Sequence, residues 1–346
     1  MSTTPCTTRR GSFGRAAGPR ALVAALAATL ALSSPLSAAA KELSLASPIP
    51  PGHRFSPAFF NAFAERLKER SGGKLTVKVY AGGSLNPSVQ RQYSILLDGV
   101  ADIAFVAPIY TVDIMPVTST VSVPGVCRDA VDCTKALWRA YPLIEKEFDA
   151  KILALWTNNA PVVITKNKPV RSAADLKGMK VRISGALEAP FWQALGAAPV
   201  SQPVTEINQN LANGVIDAIA IDPASIISFK LNDVGRYVTR GVPAQGIAFA
   251  LAMNKKVYAS LSPEERRWVD QSGGETFSIE GAARSAEVDD KAFEVSRKAG
   301  IEIIDLPDAE VRKMQAAIAA EVAKFRATKF RSGVTGAQAY DLMKGK

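Results

Sequence analysis

Histidine is almost absent from this chain: His53 is the only one in 346 residues. A serine or cysteine nucleophile activated by histidine has no second candidate base to draw on, and one histidine with no Asp, Glu or Cys at ligand spacing beside it does not make a metal site. The sequence also lacks a G-x-S-x-G turn, a phosphate-cradling glycine loop and an H-E-x-x-H pair. Nothing points to a pair of catalytic carboxylates. No catalytic residue, cofactor or metal is therefore expected. Clustered Lys/Arg with interleaved aromatics is missing too, which argues against nucleic-acid binding. After the first 40 residues no apolar run is long enough to cross a bilayer.

Acidic residues are missing from one place in particular. The first 40 residues hold Arg9, Arg10, Arg15 and Arg20 and no Asp or Glu. The apolar run Ala21 to Leu32 is too short to span a membrane, and Ala38 to Ala40 fits a small-residue cleavage site. Residues 1–40 thus read as a secretory signal, with the mature chain starting near Lys41 and a periplasmic destination. Arg9-Arg10 is a weak twin-arginine match, because Phe13 is one place too far along, so a plain Sec signal is the simpler reading. With the four arginines gone, 38 of the 42 basic residues face 32 acidic ones, about +6. That mild excess can attract small anions. Cysteine is scarce: Cys6 lies in the leader, leaving Cys127 and Cys133. In an oxidising compartment this close pair is expected to bridge; the alternative is two buried thiols.

What is present is a regular alternation of strands and helices. Leu43 to Ala46 starts an apolar strand, and Pro48 to His53 is a Pro/Gly-rich turn. Ser56 and Pro57 open a helix whose Phe59, Phe60, Phe63 and Leu67 share one face. Leu75 to Tyr80 alternates as a half-buried strand, a helix follows from Asn86-Pro87 to Asp98, and Asp102 to Ala107 is an apolar strand ending before Tyr110. Asp129 to Ala140 and Leu143 to Phe148 read as helices, Lys151 to Leu155 as a strand running into Trp156-Thr-Asn158-Asn159, and Pro161 to Thr165 as extended. Later come a strand at Ile216 to Ile221, a helix at Pro223 to Lys230 and a strand at Ile247 to Met253. A helix from Ser262 runs to about Lys298 with a wobble at Gly273-Gly274. A strand at Ile301 to Ile304 and a helix at Asp308 to Phe325 close the series. The alternation predicts an α/β fold with parallel sheets, and the length favours two domains.

The stretch Asp175 to Asp217 organises the rest. Ser172 and Asp175 form a capping box, Gly178 stops a short helix, and Met179 to Ile183 is an apolar strand with one internal charge near its C-terminal end, Arg182. Ligands of open α/β sheets bind beyond such strand ends, and arginine offers a planar fork of donors matched to a carboxylate.

These motifs, in this order, resemble the solute-binding proteins of TRAP (tripartite ATP-independent periplasmic) transporters. The resemblance is carried by Pro51-Gly52-His53; by Ala64-Glu65 to Ser71-Gly-Gly with Val77-Lys-Val-Tyr80; and by Ala101-Asp102-Ile-Ala. Lys168-Pro-Val, Asp175-Leu-Lys-Gly and Lys180-Val-Arg182 are its most specific part. Leu195-Gly-Ala with Pro199-Val, Gly214-Val-Ile-Asp217, Ser228-Phe-Lys-Leu231 and Met253-Asn-Lys255 complete it. The resemblance implies a two-domain clamshell of mixed sheets flanked by helices, with a long inter-domain helix. Domain I would comprise 41–159 plus 248–288, and domain II 160–247 plus 289–346. It also implies an organic acid anion buried in the cleft, delivery to a small and a large membrane subunit, and a match between Arg182 and the family's carboxylate-binding arginine. Two other readings stay open: a ligand receptor feeding a membrane sensor and, with less support, a periplasmic enzyme.

The remaining candidate ligand contacts follow strands or flank the arginine. They are Trp156, Asn158, Asn159, Tyr110 and Ser184, with Val204 as an apolar wall. Asp222 is a candidate acceptor from a ligand hydroxyl or amine, or else a helix cap before Pro223. His53 lines either the cleft or a surface loop. Relatives often carry a second arginine where this chain has Ala160-Pro161-Val162-Val163, and an aromatic where Val204 stands. Such departures point away from sialic acid and C4-dicarboxylates, toward a monocarboxylate with an apolar or hydroxylated body.

Overall fold

The structure, a computed structural model, describes residues 40–346. The expected leader, 1–40, lies outside the described residues save its last position. Eleven strands appear in the described chain: β1 Lys41–Ala46, β2 Leu75–Tyr80, β3 Ile103–Val106, β4 Ala150–Thr157, β5 Val162–Thr165, β6 Lys180–Ile183, β7 Ala198–Ser201, β8 Ala218–Ile221, β9 Tyr237–Arg240, β10 Ala248–Asn254 and β11 Glu302–Asp305. They form two sheets, ordered β2-β1-β3-β10-β4 and β11-β9-β5-β8-β6-β7.

The sheets are mixed rather than parallel. β10 runs antiparallel to β3 and β4, and β5 antiparallel to β8 and β9. The alternation of strand and helix misses this because the chain changes sheets three times. It leaves the first sheet after β4 to enter the second at β5, returns from β9 to β10, and leaves again between β10 and β11. A strand arriving from another sheet is not a βαβ crossover and need not obey its parallel rule.

Strands of both sheets are buried on both faces, and one face of each packs under the helices named next. Phe63 and Leu67 of helix Asn61–Arg70 pack with Leu43, Phe105, Trp156 and Phe249. Ile164, Ile219 and Val238 pack under Ile207 and Leu211 of helix Ile207–Ala212. The long helical segment does more than wobble at glycine: it divides into Pro263–Ser272 and Gly274–Lys298. A Cβ on Gly273 would lie 2.2 Å from the Leu153 carbonyl oxygen, so only glycine lets the helix start against β4. Helix Gly274–Lys298 touches both β4 and β11, one from each sheet. Cys127 and Cys133 are bridged, with Cα atoms 5.1 Å apart.

Several local differences have physical causes. The helix expected from Asn86-Pro87 begins only at Gln92. Before it, Asn86 Oδ1 accepts from the Ser88 amide (2.9 Å), and the Gln92 side chain donates to the Asn86 and Ser88 carbonyls, so side chains supply a turn in place of helix. Pro223 to Lys230 yields one helical turn, Ser225–Ser228, ended by Lys230 at φ 53°. β7, β9, the short helix Lys255–Ser260 and the last helix, Gly336–Lys344, have no counterpart among the expected elements, although Thr335 and Gln338 form a capping box at the last. That helix packs on helix Ala130–Arg139 beside the first sheet, with Arg139 Nε donating to the Met343 carbonyl at 2.8 Å, while helix Asp308–Ala327 packs on the second-sheet helix Ala189–Ala194.

Candidate ligand-binding site

Between the two sheets lies a cavity bounded by the loop after β1, the ends of β3, β6 and β8, and two of the segments where the chain changes sheets, those after β4 and before β10. The space open to the centre of a water molecule is about 50 Å³. Most of the wall is apolar: Ile49, Phe55, Phe105, Val204, Phe229 and Phe249. The crossing segments are stitched together at one edge. The Ile247 amide donates to Asn158 Oδ1 at 2.8 Å, and a Cβ on Gly246 would lie 2.1 Å from the Asn158 carbonyl oxygen, so glycine is required for that approach.

β6 carries Arg182 to the cavity. Its side chain is buried, at 1% exposure. Nε and Nη2 donate to the Gln202 carbonyl (3.0 and 2.7 Å); Nη2 also reaches the Tyr110 hydroxyl and Nη1 the Ser184 hydroxyl, at the longer distances of 3.3 and 3.4 Å. A guanidinium has five N–H groups, so one Nη1 hydrogen is unspent. Among the described residues no carboxylate lies within 4.0 Å of it. A buried cation held only by neutral acceptors is costly until an anion joins it.

A second buried arginine lies behind the cavity. Arg54 meets Asp222 and Asp289, each at 2.6 Å. Asp222 is then saturated. Oδ1 takes Arg54 and the Ser225 amide (3.1 Å), and Oδ2 takes Asn158 Nδ2 (3.0 Å) and the Ser225 hydroxyl (2.8 Å). Of the two alternatives for Asp222, the structure shows the capping one: it bonds the turn after Pro223, and although it lines the cavity both its oxygens are already engaged within the protein. Asp289 holds Asn159 Nδ2 (2.7 Å) and the Ala224 amide (2.9 Å) as well.

His53 lines the cavity at 2% exposure, not a surface loop. Its Nδ1 accepts from the Phe55 amide at 3.1 Å. Burial, together with the charge of Arg54 and against that of Asp222, lowers its pKa to about 3. A neutral imidazole that accepts at Nδ1 carries its proton on Nε2, so His53 is a fixed donor at neutral pH.

Of the other expected residues, Tyr110, Asn158, Ser184 and Val204 line the cavity. Trp156 and Asn159 do not. Trp156 is fully buried in the first core, stacked on Phe59 with ring centroids 3.9 Å apart. Asn159 points to the opposite side from Asn158, bonding Asp289 and the Ala130 amide. Neighbours along an extended chain face opposite ways, so one of the two asparagines had to leave the cavity. Glu188 also lines it and was not anticipated. Its Oε2 accepts from the Ser184 and Gly185 amides at 2.7 and 2.9 Å. Burial pushes its pKa up, opposed by those amides and by Arg182. In sequence it is indistinguishable from an ordinary acid in a first helical turn. Among the described residues, no group of three or more His, Cys, Asp or Glu could hold a metal ion.

The profile of the family described as bacterial extracellular solute-binding protein, family 7 (DctP), matches residues 48–329. The chain belongs to that family. It is a solute-binding protein of the TRAP type, and its relatives share its size and fold. A solute-binding protein of Albidiferax ferrireducens is 30% identical over 263 residues, covering 73% of this chain and 76% of the relative. A TRAP solute-binding protein from a marine metagenome, specific for aromatic acid ligands and solved with metahydroxyphenylacetate, superposes with a TM-score of 0.83 at 26% identity, over 88% of this chain and 97% of that one. One from Rhodoferax ferrireducens, solved with copurified benzoate, gives 0.84 at 25% identity over the same shares.

Proposed function

We propose that this TRAP solute-binding protein captures an organic acid anion bearing a single carboxylate, and that Arg182 is the group that binds it. The observation that carries the reading is the buried guanidinium with no protein carboxylate within 4.0 Å and an unspent N–H at an apolar cavity. Tyr110, Ser184 and His53 add neutral donors, and Val204 an apolar wall. A second ligand carboxylate would find no cation to meet it. His53 stays uncharged, and Arg54 is already shared between two aspartates. The aromatic monocarboxylates held by the two neighbouring structures agree with this choice.

In this reading residues 1–40 direct the chain to the periplasm. Residues 41–159 plus 248–288 and 160–247 plus 289–346 act as two lobes closing over the ligand, with Gly336–Lys344 reaching back as a strap. The closed form delivers its cargo to the small and large TRAP membrane subunits. Closure requires ligand contacts stronger in the closed form than in the open one.

Native mass spectrometry tests the proposal. Mature protein purified from cells should carry a copurified small acid that is absent after unfolding and refolding, and benzoate or phenylacetate should then rebind. Refolded protein that binds dicarboxylates and no monocarboxylate would overturn it.

A further inference from the structure

Two carboxylates line the cavity, and they differ in what they have left to offer. Both oxygens of Asp222 are taken by Arg54, Asn158 and Ser225. Glu188 is as deeply placed, at 7% exposure, yet only its Oε2 is engaged. Among the described residues Oε1 accepts no hydrogen bond. The side chain stands in the wall between the main cavity and a narrower one shared with Gln245 and Trp192.

Glu188 and Arg182 flank the same residue. The Ser184 hydroxyl accepts from Arg182 Nη1, and the Ser184 amide donates to Glu188 Oε2. No ion pair within 4.0 Å joins the two charges, although each carries an unspent hydrogen-bonding position. An unspent donor beside an unspent acceptor, separated by one residue, matches a molecule with its own acceptor and donor on adjacent atoms.

Resting on the Arg182 reading, we infer that Glu188 is a specificity residue that accepts a hydrogen bond from a hydroxyl on the carbon next to the ligand's carboxylate. The ligand class is then the 2-hydroxy monocarboxylates, with the rest of the molecule against the aromatic wall of Phe55, Phe105 and Phe249. An ammonium would satisfy the same acceptor, but its desolvation in a mostly apolar cavity costs far more than that of a hydroxyl. His53 is not the partner for this hydroxyl proton, because its Nδ1 already accepts from the Phe55 amide and its Nε2 is itself a donor.

The test is calorimetry on the refolded mature protein with three probes of one shape: mandelate (both enantiomers), phenylacetate and phenylglycine. Wild type should bind one mandelate enantiomer at least about tenfold tighter than phenylacetate, the scale of one charge-assisted hydrogen bond. In Glu188→Gln, which keeps an oxygen for the Ser184 and Gly185 amides, that ratio should fall to about threefold or less. The ratio carries the test, so a general loss of affinity does not mimic success, and the wild-type ratio needs no variant to fold. Equal wild-type affinities for mandelate and phenylacetate, or a ratio preserved in Glu188→Gln, would overturn the inference. Tightest binding of phenylglycine would replace the hydroxyl with an ammonium and overturn it too. Arg182→Met separates the two levels. If it binds phenylacetate as tightly as wild type, the carboxylate assignment itself fails; if only the Glu188 ratio misbehaves, that assignment stands.

Discussion

Arg54 and Arg182 are both buried arginines, at 5% and 1% exposure; Arg182 lines the cavity, and Arg54 is joined to the cavity residue Asp222. Arg54 is matched by two carboxylates at 2.6 Å and belongs to a network that ties the loop after β1 to the turn after β8 and to the long helix. Arg182 touches a carbonyl and two hydroxyls. The same side chain, equally removed from water, thus has two settings, and the counter-ion distinguishes them. A guanidinium whose charge is balanced by the protein can hold the protein together; one without a protein counter-ion is what the proposed function assigns to an anionic ligand.

The largest effect should come from breaking the balanced one. Arg54→Met leaves Asp222 and Asp289 buried with no cation, and removal of one partner from a buried charge network costs about 3–5 kcal/mol. Urea unfolding of the ligand-free protein should show that loss. An unfolding free energy within about 1 kcal/mol of wild type would mean that the network is not structural, and the comparison would fail on that side.

Arg182→Met should do the reverse. Ligand-free stability should stay within about 1 kcal/mol of wild type, because the Gln202 carbonyl loses a partner but an unbalanced charge also leaves the interior. Affinity for benzoate or phenylacetate should fall at least about tenfold, since a hydrogen bond to a charged group contributes roughly 1.5–3 kcal/mol. Equal stability losses in the two methionine variants would erase the distinction.

The two arginines were not equally visible in sequence. Arg182 announces itself: one charge in an apolar strand, close to the end where α/β sheets bind ligands, inside a recognisable motif. Arg54 sits in a Pro/Gly-rich turn, and its partner Asp289 is 235 residues away in the chain. No local pattern reports a contact of that range. The two-sheet α/β layout was legible because apolar periodicity is local, whereas the antiparallel β5 and β10 depend on the chain changing sheets. Trp156 and Asn159 were misplaced for a related reason. A strand end says that side chains emerge beside a cleft, and only the register says which alternate ones enter it. Glu188 was passed over because the bonds it makes to the amides of Ser184 and Gly185 are those of a common helix-start acid; its second oxygen becomes notable only when the cavity is drawn.

The smallest effect sharpens the comparison at His53, the chain neighbour of Arg54 that lines the same cavity as Arg182. Its pKa is lowered to about 3, first by burial and then by Arg54. The unfolded chain takes up this proton near pH 6.5, while the folded protein does not until about 3. Between those values the unfolded state binds the extra proton, so the residue makes stability fall as pH falls and contributes no slope above 6.5. His53→Asn should remove that share, flattening the stability curve between about pH 3 and 6.5 by up to roughly 1.4 kcal/mol per pH unit. Subtracting the two curves isolates it from Asp222, which burial raises but Arg54 and its hydrogen bonds hold below the usual carboxylate range, and from Asp289, which burial pushes up. Because His53 remains neutral from pH 5 to 8, benzoate affinity should show no change through this residue over that range. An inflection near pH 6 that His53→Asn abolished would make the imidazole a second, titratable cation in the cavity. The proposed restriction to a single carboxylate would then lose its basis.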